Sequence, residues 1–495
     1  MLLHIIQINV IIVLFSVKKA RDMFFGRTEH LDALNALWAK KVSSLVTCRG
    51  RRRIGKSTLI RHFAEVSGAR FLKIEGMKPR KGYSNEDELR TFASQLSVQT
   101  GCEKSLPEDW LSAFIRLGRE IRGDEKTVVL LDEISWLGYY DQTFSDTLKI
   151  AWDNYLKKND RLILVLCGSV SSWIKENIID SGEYVGRRSL DLVVNELSLS
   201  ECARFWEGRI DRIDPTEIFD VLSVTGGVPR YLEEIDPGIS AAANIERLCF
   251  RPKSVLREDF ADMFSDVITN QPRFTGEVLR TLVNGKLNGT EIAAAMGIEK
   301  GGRLTDALTR LEESGFVAKD VARNPVTGEE LRECAYRLKD NYARFYLKFI
   351  EPSKDSIDGG AFEFGSLERL SGWNGIMGLQ FENLIVNNFK SLLPKLNLAG
   401  ALITSAGPYR KVGRKGEGCQ IDLLLQAKRF VYLIEVKRQA EIGREVIDEV
   451  EQKRMRLGVP SEKSVRLALV YDGRLAPSIE AEGFFDSIVD ARTLL

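Results

Sequence analysis

Gly50-Arg51-Arg52-Arg53-Ile54-Gly55-Lys56-Ser57 spells a complete G-x-x-x-x-G-K-S phosphate loop, a pattern that works only where a strand runs through a tight glycine turn into a helix. Both flanks have that form. Residues 43–48 read as a short buried strand, and residues 57–65 space their apolar side chains as a helix does. Gly50 and Gly55 let the backbone turn so that successive N–H groups and the positive end of the helix converge on phosphates. Lys56 is then expected to reach the β/γ-phosphates and the Ser57 hydroxyl to ligate Mg²⁺. Arg51, Arg52, Arg53, Ile54 and Thr58 complete the expected cradle, so a nucleoside triphosphate is the first ligand the chain implies.

A length of 495 residues exceeds one ordinary core and predicts roughly two to four domains. Hydrophobic residues at 44% and charged residues at 28% fit a soluble globular class. A formal net charge of +1 gives no global attraction to nucleic acid, which leaves that contact to local patches. The seven scattered cysteines never form C-x-x-C, which argues for a reducing cytoplasm and against a zinc ribbon. Three histidines leave almost no material for His-based triads or His-rich metal sites. Residues 1–16 are apolar but too short to span a bilayer, and they lack a signal peptide's positive start and cleavage site. Met23 is followed at once by a sequence that reads as the start of a domain, so residues 1–22 are expected to be a loose extension or a mis-called start, with a membrane-surface tether as the alternative.

The run Thr127-Val128-Val129-Leu130-Leu131-Asp132-Glu133 is a Walker B pattern: a strand buried on both faces that ends in two carboxylates. Asp132 is expected to hold the Mg²⁺ shell and Glu133 to polarise the attacking water. A second buried strand, residues 162–167, ends in Gly168-Ser169, which puts Ser169 where a γ-phosphate or water sensor is useful; a serine starting an ordinary turn is the alternative. Arg187 and Arg188 precede another strand-like run. They read either as guanidiniums for the γ-phosphate, in cis or in trans, or as a solvated pair.

Phe25-Gly26-Arg27, the phosphate loop, Leu-Leu-Asp-Glu, Cys-Gly-Ser and Gly226-Gly227-Val228-Pro229-Arg230-Tyr231-Leu232 together resemble the archaeal-type ATPase family, P-loop proteins of the AAA+/STAND kind. The resemblance implies ATP as ligand and a helical lid in which Gly227 and Pro229 lie against the nucleotide. On physical grounds alone, Pro229 ends or kinks a helix.

Residues 273–339 read as three helices followed by two strands, a winged helix-turn-helix pattern. Thr290 is expected to cap the second helix, and residues 324–328 to form the turn of the wing. The third helix mixes Arg303 and Arg310 with Asp306, Glu312 and Glu313, so reading DNA and a structural or partner-binding role both stay open. The family resemblance extends over this module.

Beyond a low-pattern linker, residues 379–385 read as a helix, and residues 421–425 and 431–437 as strands joined by a tight turn. Side chains two apart on a strand share a face. Glu435 and Lys437 therefore project together, and an antiparallel partner brings Asp422 beside them. Two or three carboxylates and a lysine so placed suit Mg²⁺- or Mn²⁺-dependent phosphodiester hydrolysis: Asp422 and Glu435 bind the metal, Glu382 completes its shell, and Lys437 orients water. The ordered set resembles the PD-(D/E)xK nuclease fold. Basic residues around Arg410, Lys411, Arg414 and Lys415, and Lys453 with Arg454, read either as contacts to a DNA backbone or as a solvated face.

The fold expected is α/β: a P-loop NTPase parallel sheet (residues 23–200), a helical lid (201–270), a winged helix-turn-helix (271–345), a linker (346–375) and a PD-(D/E)xK-like α/β domain (376–495). The expected function is a cytoplasmic, Mg²⁺-dependent ATPase that controls a DNA-acting nuclease-like domain, without stable membrane insertion. The alternatives are a regulatory switch that binds DNA or a protein partner without cleavage, and an oligomeric AAA-like remodelling ATPase.

Overall fold

A computed structural model describes residues 24–169, 171–264, 272–325, 327–363, 365, 367–411, 413, 418–459, 461 and 463–495. The expected N-terminal extension, Arg414 and Lys415 lie outside the described residues. The chain divides into two compact units, one ending at Glu196 and the other running from Leu197 to Leu495.

The first unit is built on five parallel strands: β1 (Ser44–Arg49), β2 (Arg70–Glu75), β3 (Thr127–Asp132), β4 (Leu162–Gly168) and β5 (Arg188–Val193), in the order β2-β3-β4-β1-β5. β1, β3 and β4 are buried along nearly their whole length, as the aliphatic runs of β3 and β4 require when helices cover both faces. One face packs on a cluster that includes Phe92, Trp110, Phe114 and Phe144. The other packs on Phe63, Leu59 and Leu34. The phosphate loop joins β1 to α1 (Lys56–Val66), whose buried Leu59, Ile60 and Phe63 follow helical spacing. This is the parallel α/β sheet of a P-loop NTPase.

The second unit begins with helices, including α2 (Pro215–Thr225). Farther along come α3 (Pro272–Thr281), α4 (Gly289–Ala295) and α5 (Gly302–Glu313). They lead into an antiparallel ribbon of β6 (Val317–Arg323) and β7 (Glu330–Leu338). Leu287 bridges Tyr336 of β7 through paired backbone hydrogen bonds of 3.0 and 2.7 Å. The cap of α4 is Asn288, not Thr290: its side chain accepts from the Thr290 and Glu291 N–H groups, and Glu291 returns the bond to the Asn288 N–H. That is a capping box set two residues earlier than the sequence suggests.

Residues 346–375, expected as a linker, behave otherwise. Tyr346, Phe349, Ile350, Ile357, Leu367 and Trp373 are buried in one cluster with Tyr231, Val278 and Leu311. The segment is core because Tyr346, Phe349 and Trp373 at its two ends and Ile350, Ile357 and Leu367 between them are all buried, while Pro352 and Gly359-Gly360 break it into pieces too short to show periodicity.

After α6 (Trp373–Asn387) comes a mixed sheet of β8 (Ser405–Lys411), β9 (Cys419–Gln426), β10 (Phe430–Ile442), β11 (Ser464–Leu475) and β12 (Ser487–Asp490), in the order β12-β11-β10-β9-β8. β8, β9 and β10 pair antiparallel, and β10, β11 and β12 parallel. α7 (Glu445–Leu457) crosses between β10 and β11. No described helix is long and apolar enough to cross a membrane.

Candidate active site

In the first unit the parallel order puts the carboxyl ends of β3, β4 and β1 side by side, and ligands of open α/β sheets collect at that edge. Gly55 stands at φ 84 before α1, and Arg53 at φ 68. Gly50 has φ +152, and a Cβ there would lie 2.3 Å from the Val194 carbonyl oxygen. A glycine is therefore required twice over, by conformation and by space.

The Lys56 ammonium is folded onto its own loop and donates to the Gly50 (2.9 Å) and Arg51 (3.0 Å) carbonyls. The Ser57 hydroxyl donates to Asp132 Oδ2 at 2.6 Å. A hydroxyl and a carboxylate in contact at the end of a phosphate loop fit the Mg²⁺ of a bound nucleotide, with phosphate oxygens and water completing the shell. Glu133 sits in the left-handed region, φ 49, which turns its side chain toward β4. Its Oε2 accepts from the Ser169 hydroxyl (2.8 Å) and N–H (3.2 Å). Burial pushes the Glu133 carboxyl above its ordinary range, while Lys56 and Ser169 pull it back.

The three loop arginines separate. Arg51 pairs with Glu196 at 3.1 Å, Arg52 lies over the Trp136 ring at 5.0 Å, and Arg53 makes the turn. Two further residues act here, Arg27 of the Phe25-Gly26-Arg27 motif and Lys73, which no local pattern revealed. Arg27 donates to the Ile54 carbonyl (3.0 Å) and the Asn195 carbonyl (2.6 Å), bracing the loop. Lys73 on β2 reaches Asp132 Oδ2 (3.0 Å) and Glu75 (2.7 Å). The signal for Lys73 was its position on a strand beside the Walker B strand, but strand order is not written locally.

Arg187 and Arg188 are not brought to this edge. Arg188 opens β5 opposite Leu45, whereas the loop follows Arg49, which is opposite Val193. At about 3.3 Å per residue the two arginines stand roughly 17 Å from the phosphate end. Arg187 is held by Asp153 at 2.9 Å. The expectation that either serves its own loop in cis is therefore corrected.

Gly227 and Pro229 lie in the second unit. Gly226, at φ 59, ends α2, the Gly227 carbonyl accepts from the Leu197 N–H (2.8 Å), and Pro229 opens the next short helix at its first position. Pro229 thus starts a helix instead of ending one.

The C-terminal set converges as the strand argument requires. Asp422 Oδ2 accepts from the Val436 N–H at 2.9 Å, and Lys437 Nζ is 3.1 Å from Glu435 Oε1. Burial, with Glu435 and Glu382 close by, pushes Asp422 up to about 7 against the pull of Lys453 and Lys286. Yet two of the three carboxylates are already paired. Glu435 takes Lys453 at 2.5 Å, and Glu382 takes Lys286 at 2.5 Å. Among the described residues no group of three or more His, Cys, Asp or Glu side chains is arranged to hold a metal ion. The expected metal shell of Glu382, Asp422 and Glu435 is corrected to a carboxylate–lysine network, which does not fit Mg²⁺ or Mn²⁺ as it stands. Arg410, expected to face DNA or solvent, makes a bidentate pair with Glu291 (2.7 and 2.8 Å).

Residues 24–235 match the family described as an ATPase domain predominantly from Archaea. An uncharacterised protein of Methanocaldococcus jannaschii is 24% identical over 423 residues, which cover 84% of this chain and 87% of that protein. Among solved structures the chain is similar to a Walker-type ATPase of Pyrococcus abyssi, with 17% identity, 66% of this chain and 96% of that chain covered, and a TM-score of 0.48. It is also similar to the ORC2 protein of Aeropyrum pernix in its ADPNP–ADP complexes, with 14% identity, 68% and 96% covered, and a TM-score of 0.46. With the phosphate loop, Asp132 and Glu133 at one sheet edge, residues 24–235 carry a P-loop ATPase domain of the archaeal type.

Proposed function

We propose that the chain is an ATP-hydrolysing switch whose second unit acts on DNA. The observation that carries the first half is the pairing of Ser57 with Asp132 and of Glu133 with Ser169 at the mouth of the phosphate loop. Lys56 would leave the loop carbonyls for the β/γ-phosphates. Ser57 and Asp132 would hold Mg²⁺, which supplies charge neutralisation on the phosphates. Glu133, kept in place by Ser169, takes the proton of the attacking water. Gly227 and Pro229 form the lid segment that senses the nucleotide, and Arg187 or Arg188 completes the site of a neighbouring copy in an assembly. The test of this half is Lys56→Ala: loss of labelled-ATP binding and of phosphate release is expected, and retention of both would overturn the reading.

For the second unit, the three helices and ribbon support a winged helix, and the Asp422, Glu435, Lys437 arrangement supports a PD-(D/E)xK-like domain. Such a pair acts on a DNA backbone, with the nucleotide state of the ATPase unit setting its activity. A nuclease assay on linear, circular, branched and single-stranded DNA, with and without ATP, tests it. Cleavage lost in Asp422→Ala and Lys437→Ala is the expected result. The lysines that match Glu382 and Glu435 favour a second reading, in which the domain binds DNA or a protein partner and does not cut. ATP turnover without cleavage on any DNA form would select it.

A further inference from the structure

β2 stands at one end of the sheet of the first unit, and beyond it that sheet has no further strand. A bare edge of this kind is a template for stray pairing unless something covers it. Here the helix Asn85–Thr100 covers it with side chains. The Gln99 amide accepts from the Lys73 N–H (2.8 Å) and donates to the Lys73 carbonyl (2.7 Å). Gln95 does the same for Glu75, at 2.9 and 2.8 Å. Glu88, fully buried, accepts from the Met77 N–H at 3.0 Å. A primary amide carries the same donor and acceptor as a peptide group, so each glutamine closes a rung as a neighbouring strand would. Residues 88, 95 and 99 fall on one face of the helix, and each meets the backbone of every second residue from Lys73 to Met77.

The strand fixed in this way leads to the Walker B turn. Lys73 reaches Asp132 Oδ2, and just past the end of β2 the Gly76 N–H donates to the Asp132 carbonyl at 3.0 Å. Glu133, which follows Asp132, stands at φ 49 and ψ 52, and its carbonyl accepts from the N–H groups of Trp136 (2.8 Å) and Leu137 (3.3 Å). A residue with a side chain stays in that region only where its surroundings over-determine it. Gly76 is one of those surroundings. A Cβ on it would lie 2.8 Å from the Glu133 carbonyl oxygen and 2.7 Å from the Leu137 nitrogen. Space therefore demands glycine there, because the exit of β2 lies against the peptide that turns Glu133 toward Ser169. Met77, the next residue, is held twice: Glu88 takes its N–H, and the Tyr83 and Thr91 hydroxyls reach its sulfur at 2.7 and 3.3 Å.

We propose that Gly76 is a positioning residue for ATP hydrolysis, and that Glu88, with Gln95 and Gln99, holds Gly76 where it keeps the Glu133 carboxylate aimed at the attacking water. This rests on the reading of Glu133 as the base. The side-chain ladder then has two uses. It covers the edge of β2, and it fixes the distance between the exit of β2 and the Glu133 peptide.

Hydrolysis and equilibrium binding of labelled ATP, measured on the full chain, test this. Gly76→Ala is expected to lower turnover by roughly 10²-fold, the cost of misplacing a reacting group by about an ångström. ATP affinity is expected to stay unchanged, and amide hydrogen exchange at Trp136 and Leu137 to quicken. Glu88→Leu is expected to lower turnover in the same way, whereas Glu88→Gln, whose carbonyl oxygen still takes the Met77 N–H, keeps it. Gln95→Ala alters only a side chain at the surface and guards against misfolding of the other variants; it too is expected to slow turnover at unchanged affinity. Unaltered turnover in Gly76→Ala, equal losses in Glu88→Leu and Glu88→Gln, or losses that only follow ATP affinity would overturn the positioning role. Glu133→Gln run in parallel separates the two readings. If it loses turnover while Gly76→Ala does not, the present inference alone fails, and if it keeps turnover, the reading of Glu133 as the base fails as well.

Discussion

Glu133 and Glu88 are both acids withdrawn from water, and their surroundings give them opposite uses. Glu133 is held by Ser169 and faces Lys56, so its charge is supported where a water is to be activated. Glu133→Gln is expected to keep nucleotide binding and to lower turnover by about 10² to 10⁴, the range for a positioned base. Equilibrium binding and phosphate release measured on the same preparation check it. Glu88 is fully buried. Its Oε1 accepts from the Met77 N–H at 3.0 Å, and its Oε2 has no hydrogen-bond partner. Burial, only partly offset by that bond, pushes its carboxyl up to about 7. A folded-state value above the unfolded one means stability that is present below the unfolded value, 4.5, and lost as pH rises through about 7. Glu88→Gln is expected to flatten the melting temperature over that window and to raise it at pH 8, read by thermal melts in a pH series. Single residues such as Asp132 and Glu435 were legible because their neighbours announce a strand. Lys73, Lys286 and Lys453 were not, because each finds its acid through strand order or across long stretches of chain, with no local pattern.

At the level of elements, sequence and structure agree where a backbone requirement and a hydrophobic period coincide. β1, the loop and α1 were readable because glycines mark the turn and aliphatic spacing marks both flanks. The loop's demands are steric as well as chemical, and Gly50 shows it. Gly50→Ala puts a methyl 2.3 Å from the Val194 carbonyl at φ +152. Strain of about 1–3 kcal/mol is expected for such a backbone, and the loop must shift to relieve it. ATP affinity should fall by roughly 5- to 150-fold, the same energy expressed as binding, while the far-ultraviolet circular dichroism spectrum stays unchanged. Titration with a fluorescent nucleotide measures this. The cap at Asn288 was missed for a different reason. Asn288, Gly289 and Thr290 are all good helix-start residues, and the choice among them is made by Glu291, which must reach back three positions and also take Arg410. Long-range pairing thus selects between local options of nearly equal merit.

On the scale of the whole molecule, the chain divides into two compact units at Glu196 and Leu197, and the parts of the second unit share their cores. Gln380 on α6 shows how. Fully buried, it donates to the Ser223 carbonyl of α2 (2.8 Å) and the Asn341 carbonyl (2.6 Å), and it accepts from Arg344 (2.9 Å). Phe381 beside it meets Phe219 of α2 edge-on at 5.3 Å. α2, the segment that follows β7 and α6 are joined at one side chain, a relation that composition shifts between segments do not record. The second unit also contains complete clusters of its own, around Tyr342, Phe381 and Leu433. Residues 197–495 produced alone are therefore expected to fold and to melt in a single cooperative transition. Residues 197–372 are not, since they lack α6 and leave Ser223, Asn341 and Arg344 without their buried partner, at about 1–3 kcal/mol for each orphaned group, on top of the apolar surface of Phe219 and Trp206 that is left uncovered. Circular dichroism melts of the two fragments decide the matter. Two separate transitions in the longer fragment, or a folded shorter one, would mean that residues 197–372 and the segment from α6 onward are independent after all.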